Sequence, residues 1–457
     1  MKKIVSLALC AACVLTMLTG CSVQTTDGGG EFKRTEKSSD SSIAEVVKHG
    51  MSEAIDKMKL PDHKDIADDE EVDAVVEQRD SYERAKAMFA LVQDESGNSL
   101  YSPASLEMSI GMLSEGASDT ARKQILDYIG VDDYAVLAEA LMKHADITNE
   151  EDTTAGGFEA YDSNYKTALN FANSVWVNSE YSLNKSFLDK MQASYRAKAE
   201  AIDVGDPVGA CQTINDWCYE TTNGLIQKVV TETMIVPDLS AILCNSVYFE
   251  SAWWKPWGVR EGTFTNKDGS QVKLDDMLHA TVNTYYETDN AVAFSKGYVS
   301  GATFIGILPN EGVDIADIDL AALIASETTD YDVDISMPKL NYDFSSDAFI
   351  DSLKKFGITD IFVEGAKGLP NLVNESDDLF VSRIIQKCKI ELDENGTKAA
   401  AVTAIAAMDS AAFVEPRPIK EVHLDRPFYY LIVDDVDVPG TILFIGSVNT
   451  IDGSNNA

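Results

Sequence analysis

The run Glu394-Asn395-Gly396-Thr397-Lys398-Ala399-Ala400-Ala401-Val402-Thr403, continued by small apolar residues to Met408, constrains this chain more than any other stretch. Counted by twos, Thr397, Ala399, Ala401, Thr403, Ile405 and Ala407 share one face, all uncharged and mostly small, so a strand built from them can be buried. The opposite face, Lys398, Ala400, Val402, Ala404, Ala406 and Met408, carries a single charge that solvent can accommodate. Helix propensity alone favours an Ala-rich helix here. Gly396 before the run and the polar, Pro-containing residues 409–418 after it suit an exposed loop instead, and the segment is read as one.

The N-terminus predicts export. Lys2 and Lys3 precede an apolar run to Leu18 that is too short to span a bilayer and suits a signal peptide. Leu18-Thr19-Gly20-Cys21 follows, resembling the lipoprotein cleavage box of bacteria, so residues 1–20 are expected to leave and Cys21 to carry a lipid anchor at the cell surface. Residues 21–74 are rich in Gly, Ser, Thr and charge with few aromatics, a composition that cannot repay ordering by burial, and are read as a flexible tether. The balance of 37 basic against 75 acidic residues, a net charge of -38, repels phosphate backbones and argues against nucleic acid as a partner.

From residue 75 to 457 helical and strand-like stretches interleave without a repeat. A helix is predicted over 85–92, a strand or helix over 169–177, and strands over 242–249, 303–308, 333–340 and 429–433. One mixed α+β domain, expected as a monomer, fits this order better than three domains. Cys211, Cys218, Cys244 and Cys388 show no metal spacing and are read as core thiols without a disulfide. No Gly-x-Ser-x-Gly elbow, His-Glu-x-x-His or phosphate-binding loop is present, and none of His49, His63, His144, His279 and His423 is assigned a catalytic part. The reading is of a protein that is not an enzyme, with no cofactor and no metal.

The opening run, followed by Asp425-Arg426-Pro427-Phe428, resembles the reactive loop and return signature of the serpin family. Further blocks resemble that family in the same order over residues 82–448. They are Asn98-Ser99-Leu100-Tyr101-Ser102-Pro103 with Ser105, Ala172-Asn173-Ser174-Val175-Trp176-Val177, Asn245-Ser246-Val247-Tyr248-Phe249 with Trp253, Met337-Pro338-Lys339-Leu340, and Val381-Ser382-Arg383. The resemblance implies the serpin fold: three β-sheets surrounded by about eight or nine helices, with a reactive loop over about 394–424.

It further implies a single-use inhibitor of serine proteases. Glu394, Gly396, Thr397, Ala399, Ala400 and Ala401 would form the hinge, and Ser102, Ser105, Asn245, Trp253 and Gln386 the region where the sheet opens. By the family's spacing the scissile bond falls at Ser410-Ala411, sixteen positions after Glu394, with Met408 and Phe413 as neighbouring choices. Small residues on both sides suit elastase-like or subtilisin-like proteases. The chain departs from the pattern at Lys398, where the family usually has Glu, and at Gln386, where it usually has His. Gln386 is expected to bond toward Ser105 and Asn245. The alternative reading is a serpin-fold surface protein that binds without inhibiting.

Overall fold

The computed structural model describes residues 70–149, 167–346, 348–397, 417–434 and 441–452, all within a unit running from Asp68 to Ala457. Among these residues there are eight α-helices: α1 (Glu70–Val92), α2 (Pro103–Ser114), α3 (Asp119–Ile129), α4 (Tyr134–Asn149), α5 (Lys185–Lys190), α6 (Pro207–Thr221), α7 (Leu320–Ala325) and α8 (Phe349–Lys355). Their ends follow local chemistry. Ser102, Ser118 and Asp206 accept N–H bonds at the N-termini of α2, α3 and α6, and Pro follows at the first position of α2 and α6. Gly130 closes α3 at φ 84°, its N–H on Leu126 O.

The strands form three sheets, giving the α+β class expected. The central sheet contains β1 (Ala168–Asn178), β2 (Lys198–Ile202), β3 (Ala241–Ala252), β4 (Leu340–Ser346), β5 (Arg383–Leu392) and β6 (Gly396–Thr397). Their spatial order is β4-β5-β6-β3-β1-β2. A second six-stranded sheet runs in the order Ser99–Tyr101, Thr441–Val448, Phe428–Asp434, Thr303–Pro309, Ala291–Gly297 and Tyr285–Glu287. The third has four strands, Ile419–His423, Asp332–Met337, Gln271–Val282 and Gly258–Thr265.

The central sheet is covered on both faces, which is why β3 is buried along nearly its whole length. Alternate residues of β3 serve two cores. Leu243, Val247 and Phe249 join the main core with α2, whereas Ile242, Cys244 and Tyr248 join a second cluster with Ile214 and Cys218 of α6. Helix α2 is buried on almost every side, and Gly111 is needed there because a Cβ would fall 2.3 Å from the Tyr134 ring.

Several expectations are refined. Residues 169–177 form strand rather than helix, lying within β1. The single strand expected over 333–340 is two strands in different sheets, Asp332–Met337 and Leu340–Ser346, separated at Pro338, which offers no N–H to continue a ladder. Helix α1 begins at Glu70, inside the stretch read as tether. Cys218, Cys244 and Cys388 are buried free thiols as expected, but Cys211 is only half-buried, its Sγ facing Asn215 Nδ2 and Val230 O.

Candidate functional site

At its centre the main sheet is closed below and split above. Strands β5 and β3 pair directly and in parallel from Arg383 opposite Ile242 to Gln386 opposite Asn245. Continued one for one, this register would bring Leu392 opposite Ser251. Both residues instead pair with Thr397, and Gly396 pairs with Ala252. The two strands are therefore about one strand spacing apart at Gln386 and two at Leu392, ~4.8 Å widening to ~9.6 Å. The two-residue strand β6 sits in the mouth of the cleft.

The chain reaches that mouth through a tight reversal. Asp393 N donates to Gly396 O at 2.9 Å, while Asp393 Oδ1 accepts from Asn395 N (2.7 Å) and Gly396 N (3.2 Å). Two tryptophans grip the turn. Trp253 donates from Nε1 to Asp393 O and from its backbone to Asn395 O, both at 2.9 Å, and Trp257 N donates to Glu394 O at 2.9 Å. Trp253 also stacks on Tyr298 at 4.1 Å between ring centres.

Thr397 is buried, its Oγ1 2.7 Å from Tyr298 OH. The Glu394 carboxylate meets Lys339 Nζ at 2.8 Å, and Lys339 also holds Asp276 at 2.9 Å. Burial pushes the Glu394 carboxyl up, but Lys339 outweighs it and the net shift is downward. For Lys339, burial acts to lower the ammonium and the two carboxylates more than reverse it.

Below the cleft, polar side chains are buried between the sheet and α2. Gln386 Oε1 accepts from Ser102 N and Gln386 Nε2 donates to Ser102 O, both at 2.9 Å. This corrects the expected partners. A glutamine is long enough to reach the start of α2, where its planar amide matches one backbone N–H and C=O pair. Ser105 Oγ, 3.4 Å from both Asn245 Oδ1 and Asn173 Oδ1, faces the two asparagines without Gln386, and Ser109 Oγ donates to Asn173 Oδ1 at 2.8 Å. The Nδ2 atoms of Asn173 and Asn245, which stand opposite one another across β1 and β3, have no partner among the described residues.

Ser102, Ser105, Asn245 and Gln386 thus lie together, and Trp253, Glu394, Gly396 and Thr397 meet at the mouth. Ala399, Ala400, Ala401, Ser410 and Ala411, like Cys21, lie outside the described residues. Sequence reasoning missed Asn173, Ser109, Tyr298, Asp276 and the ionic part of Lys339. Asn173 and Lys339 stood within matching blocks, but only pairing across strands shows what they touch. Among the histidines, His144 meets Asp434 in the interior at 2.5 Å, and His423 Nδ1 lies 2.9 Å from Ser336 Oγ.

Comparison with known proteins agrees with this geometry. Residues 85–451 match the family model described as serpin (serine protease inhibitor). The chain is 28% identical to human neuroserpin over 380 residues, covering 78% of this chain and 86% of that protein. It is 29% identical to Serpin-Z10 of Arabidopsis thaliana over 373 residues, 77% of this chain and 91% of that one. Among solved structures, Serpin48 of the insect Tenebrio molitor superposes with a TM-score of 0.67 at 24% identity, over 85% of this chain and 100% of its own. Tengpin, a thermophilic serpin crystallised in its native state, gives a TM-score of 0.65 at 26% identity over 87% of this chain and 98% of its own.

Proposed function

Because the chain belongs to the serpin family, we propose that it inhibits serine proteases as a suicide substrate, its cleaved loop entering the central sheet between β5 and β3. The family's own description names inhibition and not catalysis. The observation that carries the reading is the wedge: β6 already occupies the mouth of a cleft whose strands are paired directly below it. A protease attacking the loop forms an acyl-enzyme on the residue before the cut. The freed segment then continues β6 downward as a strand, carrying the protease with it before water releases it.

The register of Thr397 supports this motion. Extended antiparallel from Leu392 and Ser251, it brings Ala399 to Ile390 and Phe249, Ala401 to Cys388 and Val247, and Thr403 to Gln386 and Asn245, all buried positions. The small uncharged face would meet the main core. Lys398 would fall between Glu391 and Glu250, so a cation suits this position on the outer face. About ten new ladder bonds at ~1 kcal/mol each give on the order of 10 kcal/mol, comparable with the whole stability of a domain.

The bond attacked is placed at Ser410-Ala411, and its small flanking residues favour elastase-like or subtilisin-like targets. Export with a lipid anchor at Cys21 would hold the inhibitor at the bacterial cell surface, supported by the Leu-Thr-Gly-Cys box. A Cys21→Ala variant should then appear unanchored in the soluble fraction. The deciding experiment mixes the protein with an elastase or a subtilisin. A covalent complex that survives boiling in detergent, with a rise in thermal stability after cleavage, is the expected result. Complete cleavage with the protease left active and no rise in stability would refute trapping and leave the binding-only alternative.

A further inference from the structure

Beneath the hinge turn sits a buried cation that the protease-trapping reading does not use. Lys296, at the end of the strand Ala291–Gly297, is 7% exposed, its Nζ lying 5.3 Å from the Trp257 ring centre and 5.9 Å from that of Trp253. The indole faces attract the ammonium but do not neutralise it. Among the described residues no carboxylate lies within ion-pair reach, and the charged group acting on it is a second cation, Lys255. Burial first, and then Lys255, lowers Lys296 to about 8.

Lys255 is exposed, so solvent matches its charge, and it leaves Lys296 as the buried cation here. A second donor is close by. Trp257 is 5% exposed and its Nε1–H is buried without an acceptor. A buried lysine against the Trp257 ring and a buried indole N–H on it, neither with an acceptor among the described residues, are the donors of an anion site, since a buried donor without an acceptor costs about 1–3 kcal/mol.

We infer that Lys296 and Trp257 Nε1 form a binding site for a small carboxylate, a planar anion that fits beside indole faces and accepts from an ammonium and an N–H together. Occupancy would steady the hinge, because the backbone N–H of Trp257 holds Glu394 O and Trp253 holds Asp393 O. That consequence, unlike the site itself, rests on reading the turn as the entry point of the loop.

The test titrates sodium acetate into the full chain at constant ionic strength balanced with chloride, following tryptophan fluorescence and the melting temperature. A saturable spectral change with a rise of a few degrees is expected. Trp257→Phe keeps an aromatic face while removing the indole N–H with its five-membered ring, and should weaken the response several-fold. Lys296→Met should abolish it and, by removing an unmatched buried charge, raise the melting temperature without acetate. No response in the wild type, or an equal response in both variants, overturns the site. Loss of the acetate response with trapping intact would sink this inference alone, and intact acetate binding without trapping would sink the functional reading alone.

Discussion

Replacing Gln386 with Ala removes both bonds that tie β5 to the start of α2. The two losses are unequal. Ser102 O keeps the N–H of Leu106 at 3.2 Å, so it forfeits only a second donor, about 0.5–1 kcal/mol. Ser102 N–H loses Gln386 Oε1, its acceptor among the described residues, and is left buried, at about 1–3 kcal/mol. With a little for the space vacated, the change should destabilise the native form by roughly 2–4 kcal/mol. For a domain of this size that is a fall in melting temperature of about 2–5 °C.

The weakened tie lies at the lowest level of the cleft, where β5 still pairs with β3, so the variant should also open more readily. Denaturant midpoints of the uncleaved protein measure the first effect. Spontaneous loss of inhibitory capacity on warming measures the second, and it should run several-fold faster than in the wild type. A Gln386→Ala protein whose unfolding free energy lies within about 0.5 kcal/mol of the wild type would show that the contact to Ser102 is not a tie, and the account of the closed lower sheet would fail with it.

Other perturbations read the same region. Thr397→Arg puts a cation into a buried position against Tyr298 and should convert the protein to a substrate, seen on gels as cleaved chain without complex; undiminished complex would refute the insertion register. Lys398→Glu would place a third carboxylate between Glu391 and Glu250 and should lower complex yield several-fold, whereas Lys398→Arg should not. Because the native Glu394 carboxyl is held below its ordinary 4.5, its contribution is complete above that pH and is lost as pH falls through the lower native value. The melting gap between wild type and Lys339→Met should accordingly stay level near neutrality and narrow on acidification below 4.5. Burial pushes the Cys218 thiol up to about 11 and Cys244 well above its usual value, so alkylation mapped by mass spectrometry should label half-buried Cys211 well before either.

Much of this was legible in the chain because it depends on local pattern. The alternation through Thr397, Ala399 and Ala401 needs only a period of two, and β3 matches its buried apolar run. Pro338 was visible too, yet its meaning as a corner between two sheets was not, since a break in a strand does not say where the next piece pairs.

By itself, the sequence determined which residues can be buried on one face of a strand and which family the ordered blocks resemble. Only the tertiary structure decided that Gln386 binds Ser102 and not Ser105 or Asn245, that Thr397 stands between Leu392 and Ser251, and that Lys296 lies against two indoles with no carboxylate of the described residues beside it. Each of these joins residues far apart in the chain. A side chain's bonding capacity is written in its type, but its partner depends on the register and packing of separate elements, which exist only once the whole sheet has assembled.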